Sequence, residues 1–257
     1  MARKAKIVDR HFEDISQYDA PKGERATQAA SNRLKMRLED LRTFKPLTEN
    51  QKLFFDSYKM GEYFMMLSGS AGTGKSFIAL YKALEEVMDK SNSFNQVLLV
   101  RSAVQTRDVG FLKGSLEEKT SIYEDPYIQI CADLFGKKEA YQRLKEQSFI
   151  EFTTTTAIRG MSFNNSVVII DECQNCTFQE LDTVVTRIGN QSKIIFVGDT
   201  AQNDLIKKQS ETSGMPDFLK IANTMDEFCR IHFTSDDIVR SSLVKQYIIA
   251  KEKLGYC

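Results

Sequence analysis

The chain carries no excess of charge, since 35 Lys and Arg balance 35 Asp and Glu, and it has only two histidines and no long apolar run. Each shortage excludes a class of function. Zero net charge removes the global basic footprint that announces nucleic-acid binding, so any such binding must come from a local patch. His11 and His232 do not stand at ligand spacing, which argues against a histidine-built metal centre. No stretch approaches the length of a membrane span, and the charged start MARKAKIVDRHFED lacks the apolar run of a signal peptide. The expectation is a cytoplasmic protein with no membrane partner. Cys131, Cys173, Cys176, Cys229 and Cys257 fit reduced thiols in that compartment. Cys173 and Cys176 make a C-x-x-C, yet no second pair follows, so they read as structural thiols rather than as a zinc or redox centre.

What is present is more specific. The 257 residues, 42% of them hydrophobic, suffice for one large domain or for one domain with a small extension. Leu67 to Ser76 reads LSGSAGTGKS, in which Gly69, Gly74, Lys75 and Ser76 satisfy G-x-x-x-x-G-K-[ST]. The glycines let the backbone of Gly69, Ser70, Ala71, Gly72, Thr73 and Gly74 turn its N–H groups into an anion nest. Lys75 then reaches the β- and γ-phosphates and Ser76 offers its hydroxyl to Mg²⁺. A helix that starts beneath the phosphates points its positive end at them. The flanks agree with this reading: Tyr63 to Leu67 reads as a buried strand, and Ser76 to Lys90 as an amphipathic helix with apolar residues at 80, 83, 84, 87 and 88. Strand, Gly-rich loop and helix in that order predict that the chain binds a nucleoside triphosphate.

Residues 1–45 carry mixed charge and few large apolar groups, and they are expected to form a partly helical N-terminal extension, with Glu24 to Thr43 as its helix. Arg33, Lys35, Arg37 and Arg42 make that helix basic, as a solvated face or as a nucleic-acid arm. Pro46 opens the core domain, 46–257. Gln51, on the helix that follows, is of the type that reads both edges of adenine, the alternative being an exposed glutamine without a role. Gln96 to Val100 is the next buried strand and ends at Arg101. The loop from Arg107 to Gly114 combines cationic side chains, Phe111 and glycine hinges, which suit a stacked, phosphate-tracked single strand. Arg101, Arg107 and Lys113 are therefore candidate nucleic-acid contacts, against an ordinary surface crossover. Pro126 to Gln147 reads as helical and Ser148 to Thr153 as a strand.

Val167 to Ile170 is a fully apolar strand closed by Asp171 and Glu172, the Walker B pattern. Asp171 is placed to complete the Mg²⁺ shell and Glu172 to activate the attacking water as general base. A kinase would not need that second carboxylate, so the pair argues for hydrolysis. Thr177 with Glu180 forms a capping box, predicting a helix from Phe178 to about Ile188 that contains Arg187. Lys193 to Val197 is a strand ending in Gly198-Asp199-Thr200-Ala201-Gln202, where Gln202 can orient water or the γ-phosphate. A strand over 230–234 and a helix over 235–254, carrying Arg240, close the chain.

The motifs GSAGTGKS, RSAV, GFLKGSLEEK, IRGMSF, IIDECQNCT, VTRIG, GDTAQNDL and DDIVRSSLV follow one another between Leu47 and Ala250. In that order they resemble the PhoH-like proteins, the phosphate-starvation-inducible family of P-loop ATPases related to superfamily 1 helicases. Ser102 and Lys113 stand where that family usually has Pro, and Cys173 where it usually has Ala; none of these removes a phosphate or Mg²⁺ ligand. The resemblance implies an α/β fold, a three-layer RecA-like P-loop domain with a mainly parallel sheet. It also implies an ATP hydrolase that uses ATP and Mg²⁺ and acts on single-stranded RNA or DNA, with Arg159 of IRGMSF among the nucleic-acid contacts. Superfamily 1 helicases place ATP between two such domains and the second supplies an arginine, whereas this chain has length for one. A neighbouring subunit is therefore expected to supply Arg240 or Arg187 within a homo-oligomer, a hexameric ring. The competing reading is an ATPase switch that gates assembly with a protein partner and needs no nucleic acid.

Lys75 is the only motif-fixed cation on the β- and γ-phosphates. Lys75→Ala is predicted to weaken ATP binding strongly and to lower hydrolysis by about 100-fold or more. Fluorescent-nucleotide titration and phosphate release measure both, and wild-type turnover would contradict the assignment.

Overall fold

The computed structural model describes residues 35–102, 116–158, 160–199 and 213–255. Met36–Cys257 forms one compact unit. Its helices are α1 (Glu49–Lys59), α2 (Lys75–Met88), α3 (Leu116–Phe135), α4 (Ala140–Glu146), α5 (Phe178–Val185), α6 (Met215–Ala222) and α7 (Ser242–Lys253). Its strands are β1 (Phe64–Gly69), β2 (Gln96–Arg101), β3 (Ile150–Thr154), β4 (Ser166–Asp171), β5 (Lys193–Gly198) and β6 (Phe228–Phe233). The strands make one sheet in the order β3-β2-β4-β5-β1-β6, and every pairing is parallel. This is the expected three-layer α/β domain.

The sequence explains which strands lie inside. β1, β4 and β5 are buried along their whole length, which is why FMMLSG, SVVIID and KIIFVG read as near-continuous apolar runs. The edge strand β6 alternates instead, with Ile231 and Phe233 buried and Arg230 and His232 exposed. One face of the sheet packs Met65, Leu67, Leu99, Ile169 and Val197 against α1 to α4. The other packs Met66, Val100, Ile170 and Phe196 against α5, α6 and the 155–165 connection. Connections that step toward the β3 edge cross the first face and those that step toward the β6 edge cross the second, as right-handed crossovers require. The direction of travel therefore reverses between β1 and β5 and between β4 and β2. In such sheets the ligand crevice opens beyond the carboxyl ends of the strands at those reversals.

Several sequence boundaries move. The basic helix expected to reach Thr43 is absent from its described part: 38–40 form a single 3₁₀ turn and 41–47 have no helix. The apolar contacts there are tertiary rather than along a helix face, since Met36 is buried in the core and the Arg42 N–H donates to the Leu134 carbonyl at 2.9 Å. The helical stretch expected over 126–147 is two helices, and Pro126 lies inside the first. Gly136, at φ 66°, separates them. The helix capped by Thr177 and Glu180 ends at Val185, before Arg187, although the capping box itself forms as predicted. The last helix begins only at Ser242, because Thr234 and Asp237 cap a separate 3₁₀ turn over 235–237. Arg240 therefore sits in the connection before that helix rather than on it.

At the opposite end of the sheet from the crevice, Lys193 is buried over the Tyr58 ring, 4.2 Å from its centroid, and pairs with Glu86 at 2.7 Å. Glu86 also accepts from the Tyr58 hydroxyl at 2.5 Å. Removing one partner of such a pair leaves the other charge uncompensated. Lys193→Met is predicted to cost about 3 kcal/mol in urea unfolding, and an unchanged midpoint would show that the pair contributes nothing.

Candidate active site

The loop between β1 and α2 is shaped by close backbone approach. A Cβ at Gly69, where φ is 120°, would lie 1.9 Å from the Phe233 carbonyl oxygen, and that same oxygen accepts from the Ser70 N–H at 3.0 Å. Gly74 adopts the left-handed region, φ 80°, as the N-cap of α2, which turns the loop so that the helix begins at Lys75. The ammonium of Lys75 folds back on this loop, donating to the carbonyls of Gly69 at 2.9 Å and Ser70 at 2.7 Å and to Thr73 Oγ1 at 3.3 Å. Burial pulls the Lys75 pKa below the ordinary lysine value, against the opposing pull of the Asp199, Glu172 and Asp171 carboxylates.

Across the sheet, Ser76 Oγ donates to Asp171 Oδ1 at 2.8 Å. The Walker A hydroxyl and the Walker B carboxylate thus meet, although β5 separates their strands. Asp171 Oδ2 accepts from the Tyr127 hydroxyl at 2.9 Å. Burial and the adjacent Asp171 hold that phenol well above its usual pKa, so Tyr127 stays a neutral donor. Glu172 follows in a left-handed conformation, φ 54° and ψ 40°, a backbone state that costs a non-glycine residue about 1 kcal/mol or more. Burial first, and then the Asp171 charge, raise the Glu172 pKa, while Gln174, Arg101 and Lys75 oppose the shift. Gln174 is buried, donates to Glu172 Oε2 at 2.6 Å and accepts from the Asp199 N–H at 3.0 Å. It therefore ties the β4 and β5 ends together.

Lys75, Ser76, Asp171 and Glu172 line one cavity of about 570 Å³. Residues 71–76, Asp171, Glu172, Asp199 and Arg240 line it, together with the apolar side chains of Phe44, Leu47, Phe55 and Phe77. Gln51 also lines the cavity but its amide is committed: Oε1 accepts from the Leu47 N–H at 2.8 Å and Nε2 donates to the Thr73 carbonyl at 2.9 Å. In this structure Gln51 braces the phosphate loop. Arg240 stands over Gly72 of its own chain, its Cγ 3.0 Å from where a Gly72 Cβ would be, and the neighbouring Val239 N–H donates to the Gly72 carbonyl at 3.1 Å. Arg240, one of the two arginines expected from a neighbouring subunit, thus also lines the cavity of its own chain. Arg187 is not part of the cavity; its Nη1 donates to the Met161 carbonyl at 3.1 Å. Arg101 donates to the Tyr123 carbonyl at 3.3 Å and acts electrostatically on Glu172, which ties it to the carboxylates. Arg107, Lys113, Arg159 and Gln202 lie outside the described residues.

The oxygen donors Ser76 and Asp171 suit Mg²⁺, which takes one or two carboxylates together with substrate phosphates and keeps several waters. Among the described residues no group of three His, Cys, Asp or Glu side chains could hold a metal without such phosphates. Tyr127 and Gln174 carry no signal of these contacts in the sequence, since nothing in their spacing ties them to Asp171 or Glu172. Cys173 and Cys176 are free and buried, and burial raises both thiol pKa values, as expected of structural thiols. Among the described residues no helix is long and apolar enough to cross a membrane.

The sequence model of the PhoH-like protein family matches residues 43–252. A PhoH-like protein of Bacillus subtilis (strain 168) is 34% identical over 186 residues, covering 72% of this chain and 57% of that protein. A PhoH-like protein of Mycobacterium tuberculosis (strain ATCC 25618 / H37Rv) is 31% identical over 210 residues, covering 81% of this chain and 58% of that protein. Protein PhoH of Escherichia coli (strain K12) is 31% identical over 185 residues, 71% of this chain and 51% of that protein. The chain thus spans between half and three fifths of the length of these relatives. Among solved structures, the Pif1 helicase from Candida albicans is similar at a TM-score of 0.40 and 16% identity, over 82% of this chain and 44% of that one.

The bonds of Gln51 lead to a test of its role. As a brace, Gln51→Ala is predicted to weaken ATP and UTP by the same factor in equilibrium titrations. A loss confined to ATP would instead show that the amide reads adenine.

Proposed function

The chain belongs to the PhoH-like family, and from that premise we propose that it is an Mg²⁺-dependent ATPase that couples hydrolysis to binding and unwinding single-stranded RNA or DNA in the cytoplasm. The observation that carries the ATPase reading is the 2.8 Å bond between Ser76 and Asp171, with Lys75, Glu172 and Arg240 around the same cavity.

Ser76 and Asp171 would hold Mg²⁺, which when bound neutralises charge on the β- and γ-phosphates. The Lys75 ammonium exchanges its loop carbonyls for phosphate oxygens, a substitution of one set of acceptors for another. Glu172 accepts the proton of the attacking water at its carboxylate, and the bond from Gln174 to Oε2 orients it while leaving Oε1 for that proton. Arg240 reaches the γ-phosphate from its own chain and stabilises the charge that develops there. Counting parts no longer demands a neighbour's arginine. A homo-oligomeric ring remains part of the proposal as a way to thread a single strand, with Arg101, Arg107, Lys113 and Arg159 as its contacts and Gln202 as the γ-phosphate sensor.

One observation favours the alternative, an ATPase switch that gates assembly with a protein partner. α7 follows directly on Arg240 and touches the phosphate loop, with Ile248 Cδ1 3.4 Å from where a Gly72 Cβ would be, yet Leu243 and Tyr247 on it are exposed. Adding single-stranded RNA separates the readings. The motor reading predicts that RNA raises ATP turnover and that the stimulation fades as salt rises; turnover indifferent to RNA and to single-stranded DNA would favour the switch.

Glu172→Gln is predicted to retain ATP while hydrolysis falls by about 100-fold or more, read by filter binding and phosphate release. Persistent turnover would remove Glu172 as the base. For Arg240, wild-type and Arg240→Ala subunits mixed at varying ratios should lose activity in simple proportion to the variant's fraction. A steeper loss would place the arginine in a neighbour's site after all.

A further inference from the structure

We propose that Tyr127 is a positioning residue for the Mg²⁺-binding carboxylate, fixing Asp171 so that the oxygen it shares with Ser76 faces the metal. The inference rests on the nucleotide-binding reading above. Two hydroxyls hold the two carboxylate oxygens separately, Ser76 on Oδ1 at 2.8 Å and Tyr127 on Oδ2 at 2.9 Å. The terminal torsion of an aspartate is otherwise broad, so this pair of donors selects one rotation of the carboxylate. An oxygen already committed to Tyr127 leaves Oδ1 as the one directed at Ser76 and the phosphate loop.

The position of the Tyr127 hydroxyl is itself set by packing. The residue is 1% exposed, its ring lies 6.0 Å from that of Phe152 on β3, and it belongs to the same core as Cys131 and Leu134 one and two turns along α3. Tyr123 lies four residues earlier, on the same face of the helix. Its carbonyl accepts from Arg101, whose guanidinium carbon is 5.8 Å from the Tyr123 ring centroid. Arg101 and Asp171 are directly paired across β2 and β4. α3 thus holds the carboxyl ends of two neighbouring strands at successive turns, and the Tyr127 bond is the contact that reaches the metal ligand. Partners that hydrogen-bond a metal ligand from behind change metal affinity by about 10- to 100-fold when removed.

The test uses Mn²⁺, which suits the same oxygen donors, titrated into the full chain with ADP and followed by electron paramagnetic resonance. Tyr127→Phe removes the hydroxyl alone, and Tyr127→Met removes the hydroxyl together with the ring. Tyr141→Phe, whose hydroxyl bonds Glu124 between α4 and α3, is the packing control. Mn²⁺ affinity is expected to fall about 10- to 100-fold in both Tyr127 variants, with metal-free ADP affinity unchanged and Tyr141→Phe at the wild-type value. Wild-type Mn²⁺ affinity in either Tyr127 variant that keeps a cooperative thermal transition would overturn the role. An equal loss in Tyr141→Phe would overturn it too, by assigning the effect to helix packing. Wild-type protein that takes up no Mn²⁺ with ADP would refute the nucleotide reading, and this inference with it.

Discussion

The hydrogen bond between Ser76 and Asp171 sets the tolerance for the whole domain. The two residues end up 2.8 Å apart from opposite sides of an intervening strand, so β1, β5 and β4 must hold their register together. Leu67 pairs with Val197, and Ile195 pairs with Ile169, along the way. A slip of one residue in β5 would turn its apolar side chains to the wrong layers. The slip would exchange Ile195 and Val197 of one core for Ile194 and Phe196 of the other, so its cost is the mismatch of side-chain shapes in both layers.

Around that bond the site concentrates charge away from water. Lys75, Asp171 and Asp199 are buried, and Glu172 is half-buried and held in a left-handed turn. Fixed charges of this kind act on a transition state without reorganising first. The segment after β6 completes the enclosure: the Phe233 carbonyl bonds Ser70, Asn50 bonds Asp237 at 2.7 Å, and Val239 bonds Gly72. A strap tied at three points brings Arg240 to the phosphate loop of its own chain. That geometry puts Arg240 at the cavity of its own chain, where the sequence places it on a helix.

Lys75, Ser76, Asp171 and Glu172 were legible in the sequence because each is fixed by local chemistry: a glycine-defined loop, or the carboxyl end of an apolar strand. The central strands were legible for the same reason, as unbroken apolar runs. What was not legible depends on contacts distant along the chain. The sequence places Arg240 on a helix, whereas the turn that Thr234 and Asp237 close ahead of it is tied down by Asn50, 187 positions away. Gln51 has the sequence context of a base reader, yet its partners Leu47 and Thr73 only become apparent in three dimensions. Tyr127 lies 44 positions from Asp171 and Gln174 lies 25 from Asp199. No periodicity encodes separations of that size. The basic helix toward Thr43 failed because propensity there is overridden by packing of Met36 and Arg42 against the α3 layer.

The central claim is that this cavity binds the triphosphate and Mg²⁺ through the residues that now bond one another. A crystal structure of the full chain with Mg²⁺ and a non-hydrolysable ATP analogue tests it most directly. The account predicts that Lys75 Nζ leaves the Gly69 and Ser70 carbonyls for phosphate oxygens, that Ser76 and Asp171 separate to admit the metal, and that Arg240 of the same chain contacts the γ-phosphate. A nucleotide bound elsewhere, or bound here with Lys75 still on its loop carbonyls and Ser76 still on Asp171, would contradict it.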